Sequence, residues 1–521
     1  MRWGDVVTAH GDTAATPRSR QDGQCAPRVY VLPISPDGPR ARRSSEWVGT
    51  ASYRTLLAYS FFAEFARISR GATFASGART TNTEQRDDRG DSTSRQTPNC
   101  TTTAPVNTAR LLIFVVTYAL ISMPSVPVLR LTRPAVGLVG AVAMVTLGGL
   151  SLREAYGAID LDVLVFLLGV MLLSGYLEVG GFFEWLAARL SARFPTARML
   201  LGAVVLASGL LSAFFMNDSI CLVITPVVLA AIRRLRFRPL PFLLGIALAA
   251  NVGSAMTVTG NPQNMLIGVS SGLTYAQFLR ALALPSLGGL VIVYAMLLWL
   301  CRAHLSARDD VPSPSGGEPA IAPIPFDRPL VTYGLIVFTG ALAAWLTGHS
   351  LPVVAIGAAA ILMLAARRDP TSALSKVEWP LLMFFAALFV VTQGVRSLPL
   401  VQWLDAEAVR QVTGARWRDA GVVSSTMLVL SNLVSNVPAV LLWLPVIPKL
   451  PHPGFLWPVM AMSSTFAGNL TLVGSMANLI VAERAQSQGV TLSFWDYLRV
   501  GVPVTVLTIL WGVATLVLMG P

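Results

Sequence analysis

Residues 260–264 read Gly260-Asn261-Pro262-Gln263-Asn264, and the pattern returns late in the chain as Gly474-Ser475-Met476-Ala477-Asn478. Both copies interrupt sequence otherwise apolar enough to lie in a bilayer. A polar, helix-breaking pentapeptide is costly there, because freed backbone groups find no water to bond. A chain that does this twice, at matching places in two halves, is expected to build a binding site from the breaks.

The surrounding sequence sets the class. Apolar residues make up 54% of the 521 and charged residues 13%, with a mean hydropathy of +0.61. A soluble chain cannot hide that much apolar surface, so the expected fold is an all-α polytopic membrane protein. Apolar runs follow one another from Arg110 onward, at 111–128, 134–150, 162–180, 199–216, 219–232, 240–258 and 281–301, then at 329–346, 350–366, 380–395, 421–434, 438–448, 455–470 and 499–519. Several are shorter than the ~20 residues a helix needs to cross. The net charge of +12 sits in loops between these runs, which reads as a topology signal. No soluble domain gathers it, so nucleic acid is not an expected partner. Cys25, Cys100, Cys221 and Cys301 are scattered and suggest neither a disulfide framework nor a zinc site.

Residues 1–109 differ in kind. They are rich in Arg, Ser, Thr, Gly and Asp, lack apolar periodicity, and read as a disordered or mis-annotated extension, with a regulatory tail as the alternative. Beyond them lies an internal repeat. Residues 160–185 read DLDVLVFLLGVMLLSGYLEVGGFFEW, and 378–403 read EWPLLMFFAALFVVTQGVRSLPLVQW, at a constant offset (378 − 160 = 218; 403 − 185 = 218). The expected organisation is a first transmembrane repeat over 110–301, a Pro/Gly-rich linker over 302–328 and a second repeat over 329–521. The stretch 199–232 has Arg189, Arg193 and Arg198 before it and Arg233, Arg234, Arg236 and Arg238 after it. Both ends therefore favour the cytoplasm, which fits a re-entrant hairpin with its tip near Asn217-Asp218, or two short full spans that return to the same side. The second hairpin, 421–448, has a weaker basic flank that suits the opposite face. Two inverted repeats, each with a re-entrant hairpin and a discontinuous helix, are expected.

Four polar knots result: Asn217-Asp218-Ser219; Asn251 with Thr257, Gly260, Asn261 and Asn264; Ser435-Asn436; and Thr471, Gly474, Ser475 and Asn478. Amides, hydroxyls and freed carbonyls are hard oxygen ligands suited to a small cation, and broken helix ends add partial charge. Gly260 and Gly474 are expected to permit the turns. Such residues also join membrane helices without binding anything, but here they come in matched pairs. Asp218 is the ionisable member, a functional candidate by cost alone, with a helix cap at the interface as the plainer role. A sodium ion at Asn217, Asp218 and Asn264 is the expected metal, if any. Asp160, Asp162 and Glu378 open their spans and are read as interfacial. No HExxH, Gly-x-Ser-x-Gly or P-loop occurs, so an enzyme has no motif to stand on. A membrane receptor, the other reading of a different class, has no soluble sensor domain.

The pattern resembles the ion transporter superfamily of arsenite permeases, citrate-transporter-like permeases, sodium/proton antiporters of the NhaD type and divalent-anion/sodium symporters. The resemblance covers about residues 110–520. It rests on Asn217-Asp218-Ser219 with Thr225-Pro226, Thr259-Gly260-Asn261-Pro262-Gln263-Asn264, Ser435-Asn436-Val437-Pro438, and Gly468-Asn469 with Gly474-Ser475-Met476-Ala477-Asn478. It implies an ion-coupled secondary transporter of the cell membrane for a small anion or oxyanion such as citrate, a dicarboxylate or arsenite, with a sodium/proton antiporter as the alternative. It also implies hairpin tips meeting unwound helices at mid-membrane, a moving core against a scaffold that forms a homodimer, no cofactor, and sodium or a proton as coupling ion. The Ser-Asn-Thr tip of the dicarboxylate branch is absent, which moves the chain toward the arsenite and citrate side.

Overall fold

The computed structural model describes residues 103–122, 131–194, 196–306 and 326–519. The N-terminal extension thus lies outside the described residues up to 102, as do 307–325 of the linker and 123–130 of the first apolar run. From the N-terminal side come α1 (Thr103–Ser122), α2 (Arg133–Thr146), α3 (Leu152–Ala158), α4 (Leu161–Val179), α5 (Phe182–Arg193), α6 (Ala197–Phe214), α7 (Asn217–Arg234), α8 (Leu240–Ser254), a single tight turn at Val258–Gly260, α9 (Pro262–Ser271), α10 (Tyr275–Leu300) and the short α11 (Arg302–Ser306). Then follow α12 (Arg328–Leu346), α13 (Leu351–Ala366), α14 (Thr371–Leu374), α15 (Trp379–Arg396), α16 (Pro399–Gln411), α17 (Arg416–Val434), α18 (Asn436–Trp443), α19 (Pro453–Ala467), α20 (Met476–Ser487) and α21 (Phe494–Met519). Helix α1 begins inside the stretch read as an extension.

The second series repeats the first. The offset is 218 from α2 to α13 (351 − 133) and from α4 to α15 (379 − 161), 219 from α7 to α18 (436 − 217) and from α10 to α21 (494 − 275), and 214 from α9 to α20 (476 − 262). Six described helices are long and apolar enough to cross a membrane: α4, α6, α10, α12, α15 and α21. Helices α8 (15 residues) and α9 (10 residues) are each too short and cross as a broken pair. Taking the shorter apolar helices α1, α2 and α13 as crossings beside α4, α12 and α15, each repeat crosses at its first, second and fourth helices, at the broken pair and at its last long helix, while α6–α7 and α17–α18 return as hairpins. That count is odd, so the second repeat enters from the opposite face. The repeats are inverted.

The depth of the first hairpin follows from aromatic packing. Phe215, at its tip, meets Phe183 edge-to-face (centroids 5.2 Å apart) and packs on Phe338 at a tilt (4.7 Å). Phe338 lies ten residues into α12 (338 − 328), whose start carries the exposed ion pair Asp327–Arg368 at 2.8 Å. Ten residues advance about 15 Å along a helix, half of a ~30 Å hydrocarbon core. The tip is at mid-membrane.

Packing between the repeats is reciprocal. Helix α2 lies along α15 and α13 along α4; α20 packs on α7 and α9 on α18; α10 and α21 pack on each other. Each helix meets the partner of its counterpart, as a pseudo-two-fold axis requires. The closest approaches rest on glycine. A Cβ on Gly169 would stand 2.6 Å from the Ala355 carbonyl carbon, and one on Gly253 would stand 2.0 Å from the Gly209 carbonyl oxygen. Association in lipid depends on such close packing, because apolar burial against apolar lipid drives little. Gly253→Ala should lower the melting temperature of the purified protein by an amount worth about 1–3 kcal/mol, read by differential scanning fluorimetry. Gly421→Ala, inside α17 and with nothing within 4 Å of the added carbon, should not lower it and should raise it by up to about 1 kcal/mol in stability.

Candidate functional site

Each broken helix is held by the asparagine that closes its pentapeptide. Asn264 Nδ2 donates to the carbonyls of Ser254 (3.1 Å), Ala255 (3.2 Å) and Thr257 (2.9 Å). Asn478 Nδ2 donates to those of Gly468 (2.8 Å) and Thr471 (3.2 Å). All three pairs obey one offset (478 − 264, 468 − 254 and 471 − 257 are each 214). These carbonyls have lost their helical partners, and the side-chain amide replaces the missing N–H groups. Asn261 Oδ1 also accepts from Asn264 N (2.8 Å), capping α9 behind Pro262. Gly260 and Gly474 matter for a different reason from the one the sequence suggests. Neither has a positive φ. A Cβ would instead meet Ser254 O at 2.1 Å and Gly468 O at 2.8 Å, so glycine is needed for close approach of the strand leaving the break.

Asn251 joins the halves. Its Oδ1 accepts from Asn217 Nδ2 (3.0 Å) at the hairpin tip and from Ser475 Oγ (3.0 Å) in the second break. Its Nδ2 donates to Asn469 Oδ1 (2.9 Å) and Asn478 Oδ1 (3.0 Å). The amide is thus fully used. Thr465, its counterpart (465 − 251 = 214), repeats the role from the other side: its Oγ1 accepts from Asn261 Nδ2 (3.3 Å) and Gln263 Nε2 (3.4 Å) and faces Asn264 Oδ1 at 3.5 Å. Thr257 donates to Ala213 O near the hairpin tip, and Thr471 donates to Asn432 Oδ1 (3.3 Å). Thr465 and Ser254 join this network although no motif marks them in the sequence, while Gln263 and Asn469 join it from within the motifs. Applying the 214 offset to Asn251 would have found Thr465.

Two matched amide oxygens stay open, as do the matched hairpin hydroxyls Ser212 Oγ and Ser431 Oγ (431 − 212 = 219). The Oδ1 atoms of Asn217 and Asn436, at matching positions (436 − 217 = 219), are buried without a partner. Asn436 lies beside the second break, its Nδ2 3.2 Å from where a Gly468 Cβ would be. Ser435, which precedes it, has φ +80° and ψ 159°, a region that is nearly glycine-only and costs about 1–3 kcal/mol to hold. Asp218 is 9% exposed in the first turn of α7 and makes no capping bond, hydrogen bond or ion pair within the described residues. The interfacial-cap role is therefore not the one it plays. Ser219 is half-buried and joins none of these bonds. Asn264, read as a sodium ligand, spends its amide nitrogen on the helix carbonyls. Among the described residues no group of three or more His, Cys, Asp or Glu could hold a metal. Asp160 caps α4 through Val163 N (3.1 Å), whereas Glu378 opens α15 without a capping bond.

The chain matches the citrate transporter family over residues 117–458. It belongs to that family. Family membership joins the inverted repeats and paired breaks to a secondary transporter of the citrate- and arsenite-permease type, multi-pass in the cell membrane. The silicon efflux transporter LSI3 of Oryza sativa subsp. japonica is 32% identical over 467 residues, covering 77% of this chain and 95% of the relative. A 46 kDa membrane protein of Mycobacterium leprae is 31% identical with the same two coverages. The putative transporter arsB of Dictyostelium discoideum is 26% identical, covering 75% and 88%. The YdaH transporter of Alcanivorax borkumensis, whose crystal structure has an unusual topology, aligns at a TM-score of 0.52 and 16% identity, over 80% of this chain and 98% of that one. That likeness speaks for the fold alone.

Asn251→Ala should strip partners from Asn217, Ser475, Asn469 and Asn478 together. Each buried orphan costs about 1–3 kcal/mol, so the loss in thermal stability should exceed that of any single site variant. Ser219→Ala should shift it by no more than about 0.5 kcal/mol.

Proposed function

We propose that this citrate-transporter-family chain moves a small uncharged oxyacid, arsenite or silicic acid in its undissociated form, coupled to protons carried by Asp218. One observation carries the reading. The buried polar residues hold amides, hydroxyls, the unpaired carboxyl of Asp218 and the carboxyl of Asp419, and among the described residues the cationic side-chain nitrogen buried without a partner is Nη2 of Arg133, at the start of α2. Asp419 is occupied locally, accepting from Thr413 N and Gly414 N at 2.9 Å each. A tricarboxylate taken out of water needs cationic partners, because an unpaired buried charge is expensive. A neutral hydroxide needs only hydrogen bonds, and the free Oδ1 atoms of Asn217 and Asn436 accept from its hydroxyls. The relatives named for silicon and for arsB support this side. The family's own description supports citrate, for which bound sodium would have to offset the charge.

In this reading Asn217, Asp218 and Asn436 contact the cargo or coupling ion. Asn251, Thr257, Gly260, Asn261, Asn264, Thr471, Gly474, Ser475 and Asn478 hold the broken helices that position them. The transporting unit is assigned to the repeats 110–301 and 329–521. A second reading, a sodium/proton antiporter, draws on the same unpaired Asp218 next to the hard oxygen of Asn217.

Proteoliposomes separate these readings. Under an imposed pH gradient, arsenite or silicic acid should accumulate and citrate should not, and Asp218→Asn should cut the gradient-driven accumulation by about a hundredfold. Citrate uptake without movement of either hydroxide would overturn the proposal. Dissipation of the gradient by sodium, with no solute moved, would establish the antiporter instead.

A further inference from the structure

The buried hydroxyls beside the first break form a chain with a fixed direction. Thr257 Oγ1 donates to the carbonyl of Ala213, four residues before Asn217 in the first hairpin. The Oγ1 atoms of Thr257 and Thr259 are 3.1 Å apart, and Thr259 Oγ1 lies 3.2 Å from the Tyr275 hydroxyl at the start of α10. A hydroxyl carries one proton. Thr257 has given its own to a carbonyl that can only accept, so Thr259 donates to Thr257 and Tyr275 donates to Thr259. Thr259 N also donates to Thr257 Oγ1 (3.2 Å), which fills both lone pairs of that oxygen. The chain therefore runs from Tyr275 inward to the hairpin, and all three residues are buried.

Ring packing fixes the outer end of the chain. Tyr275 stacks on Trp345 of α12, with centroids 5.6 Å apart and planes at 13°. Trp345 is held in turn by Phe166 of α4, edge-on at 5.9 Å, and donates from Nε1 to Leu351 O (3.2 Å) at the start of α13. Seven residues back on α12 (345 − 338), hence on the same helix face, Phe338 packs on Phe215. The first hairpin is thus held at alternate residues: Ala213 by the hydroxyl chain, Phe215 by Phe338, and Asn217 by Asn251. The second repeat is built differently. Tyr275 corresponds to Phe494 (494 − 275 = 219) and Thr259 to Val473 (473 − 259 = 214). Thr471, the counterpart of Thr257, donates to Asn432 Oδ1 (3.3 Å), and neither Val473 nor Phe494 has a hydroxyl to extend the chain.

We infer that Tyr275 is a positioning residue for the first hairpin tip, setting the place of Asn217 through Thr259, Thr257 and the Ala213 carbonyl. This rests on the reading of Asn217 as a cargo contact. Consecutive hydrogen bonds polarise one another in a low-dielectric interior, and a buried hydroxyl robbed of its partner costs more than the bond itself is worth. Each link therefore holds the next in one rotamer, and the Tyr275–Trp345 ring pair is the anchor. An acceptor placed in advance binds more tightly, because its ordering cost is met in folding and not in binding. The first half of the site is preset in this way by helices of the second repeat. The second hairpin is tied instead to its own break, through Asn432 to Ala467 O (2.9 Å) and Thr471.

The test uses the full chain in proteoliposomes, with arsenite and silicic acid as probes, beside hydrogen–deuterium exchange of the purified protein. Tyr275→Phe and Thr259→Val, which install the residue types of the second repeat, should each raise KM by about three- to tenfold and leave the maximal rate within about twofold. The double variant should raise KM no further than the stronger single one, because both cut one chain. Thr259→Ser, which keeps the hydroxyl, should restore the KM that Thr259→Val loses. Tyr118→Phe removes a buried tyrosine–threonine bond of equal length, 3.2 Å to Thr392 Oγ1 between α1 and α15. It should lower thermal stability and leave KM as it was. Exchange over 211–218 should quicken in Tyr275→Phe, while exchange over 430–437 should not. Wild-type exchange at the first tip in both Tyr275→Phe and Thr259→Val, or a KM change that Tyr118→Phe matches, would overturn the inference. Faster exchange at the first tip, with neither probe moved by the wild-type protein, would uphold the positioning and remove the cargo reading beneath it.

Discussion

Two helices of this protein stop at mid-membrane, and every carbonyl released there must find a donor without water. Asn264 and Asn478 answer that constraint, each spanning the gap between the end of one helix and the start of the next. Once the breaks are held, their side chains and those of the hairpin tips can meet. Asn251 then converts two local repairs into one structure, because its single amide is shared by the first tip and the second break. A buried polar network of this kind is favourable only when every member is satisfied. The oxygens left over at Asn217 and Asn436 are exceptions with a position in common.

Duplication accounts for the scaffold and departure from duplication accounts for the chemistry. The clamps, the glycine approaches and the reciprocal helix packing all recur across the two-fold relation. The acids do not. Asp218 stands where the second repeat has Val437, and Glu378 opens its helix without a capping bond where Asp160 caps its own. A symmetric frame lets two halves close around one cargo.

Residues 260–264 and 474–478 carried much of the fold, since a polar break inside an apolar run has few uses in a bilayer. The 218-residue echo of 160–185 gave the repeat, and the Arg clusters around 199–232 gave the hairpin. The odd number of crossings per repeat, which makes the repeats inverted, needed helix boundaries. Glycine at 260 and 474 is legible as special, and what requires it is a carbonyl across the break, which lies close only after the chain has turned back.

What the sequence determined alone was the class, the repeat and the residue types at each break, because these are written in hydropathy, spacing and offset. Only the tertiary structure decided which polar groups are spent and which are free. Asn251 and Asn469 are 218 residues apart, and nothing local distinguishes an amide that fastens a helix from one that awaits a ligand. That difference is made by which carbonyl or side chain lies within about 3 Å, and such distances exist only after the two halves have closed on each other.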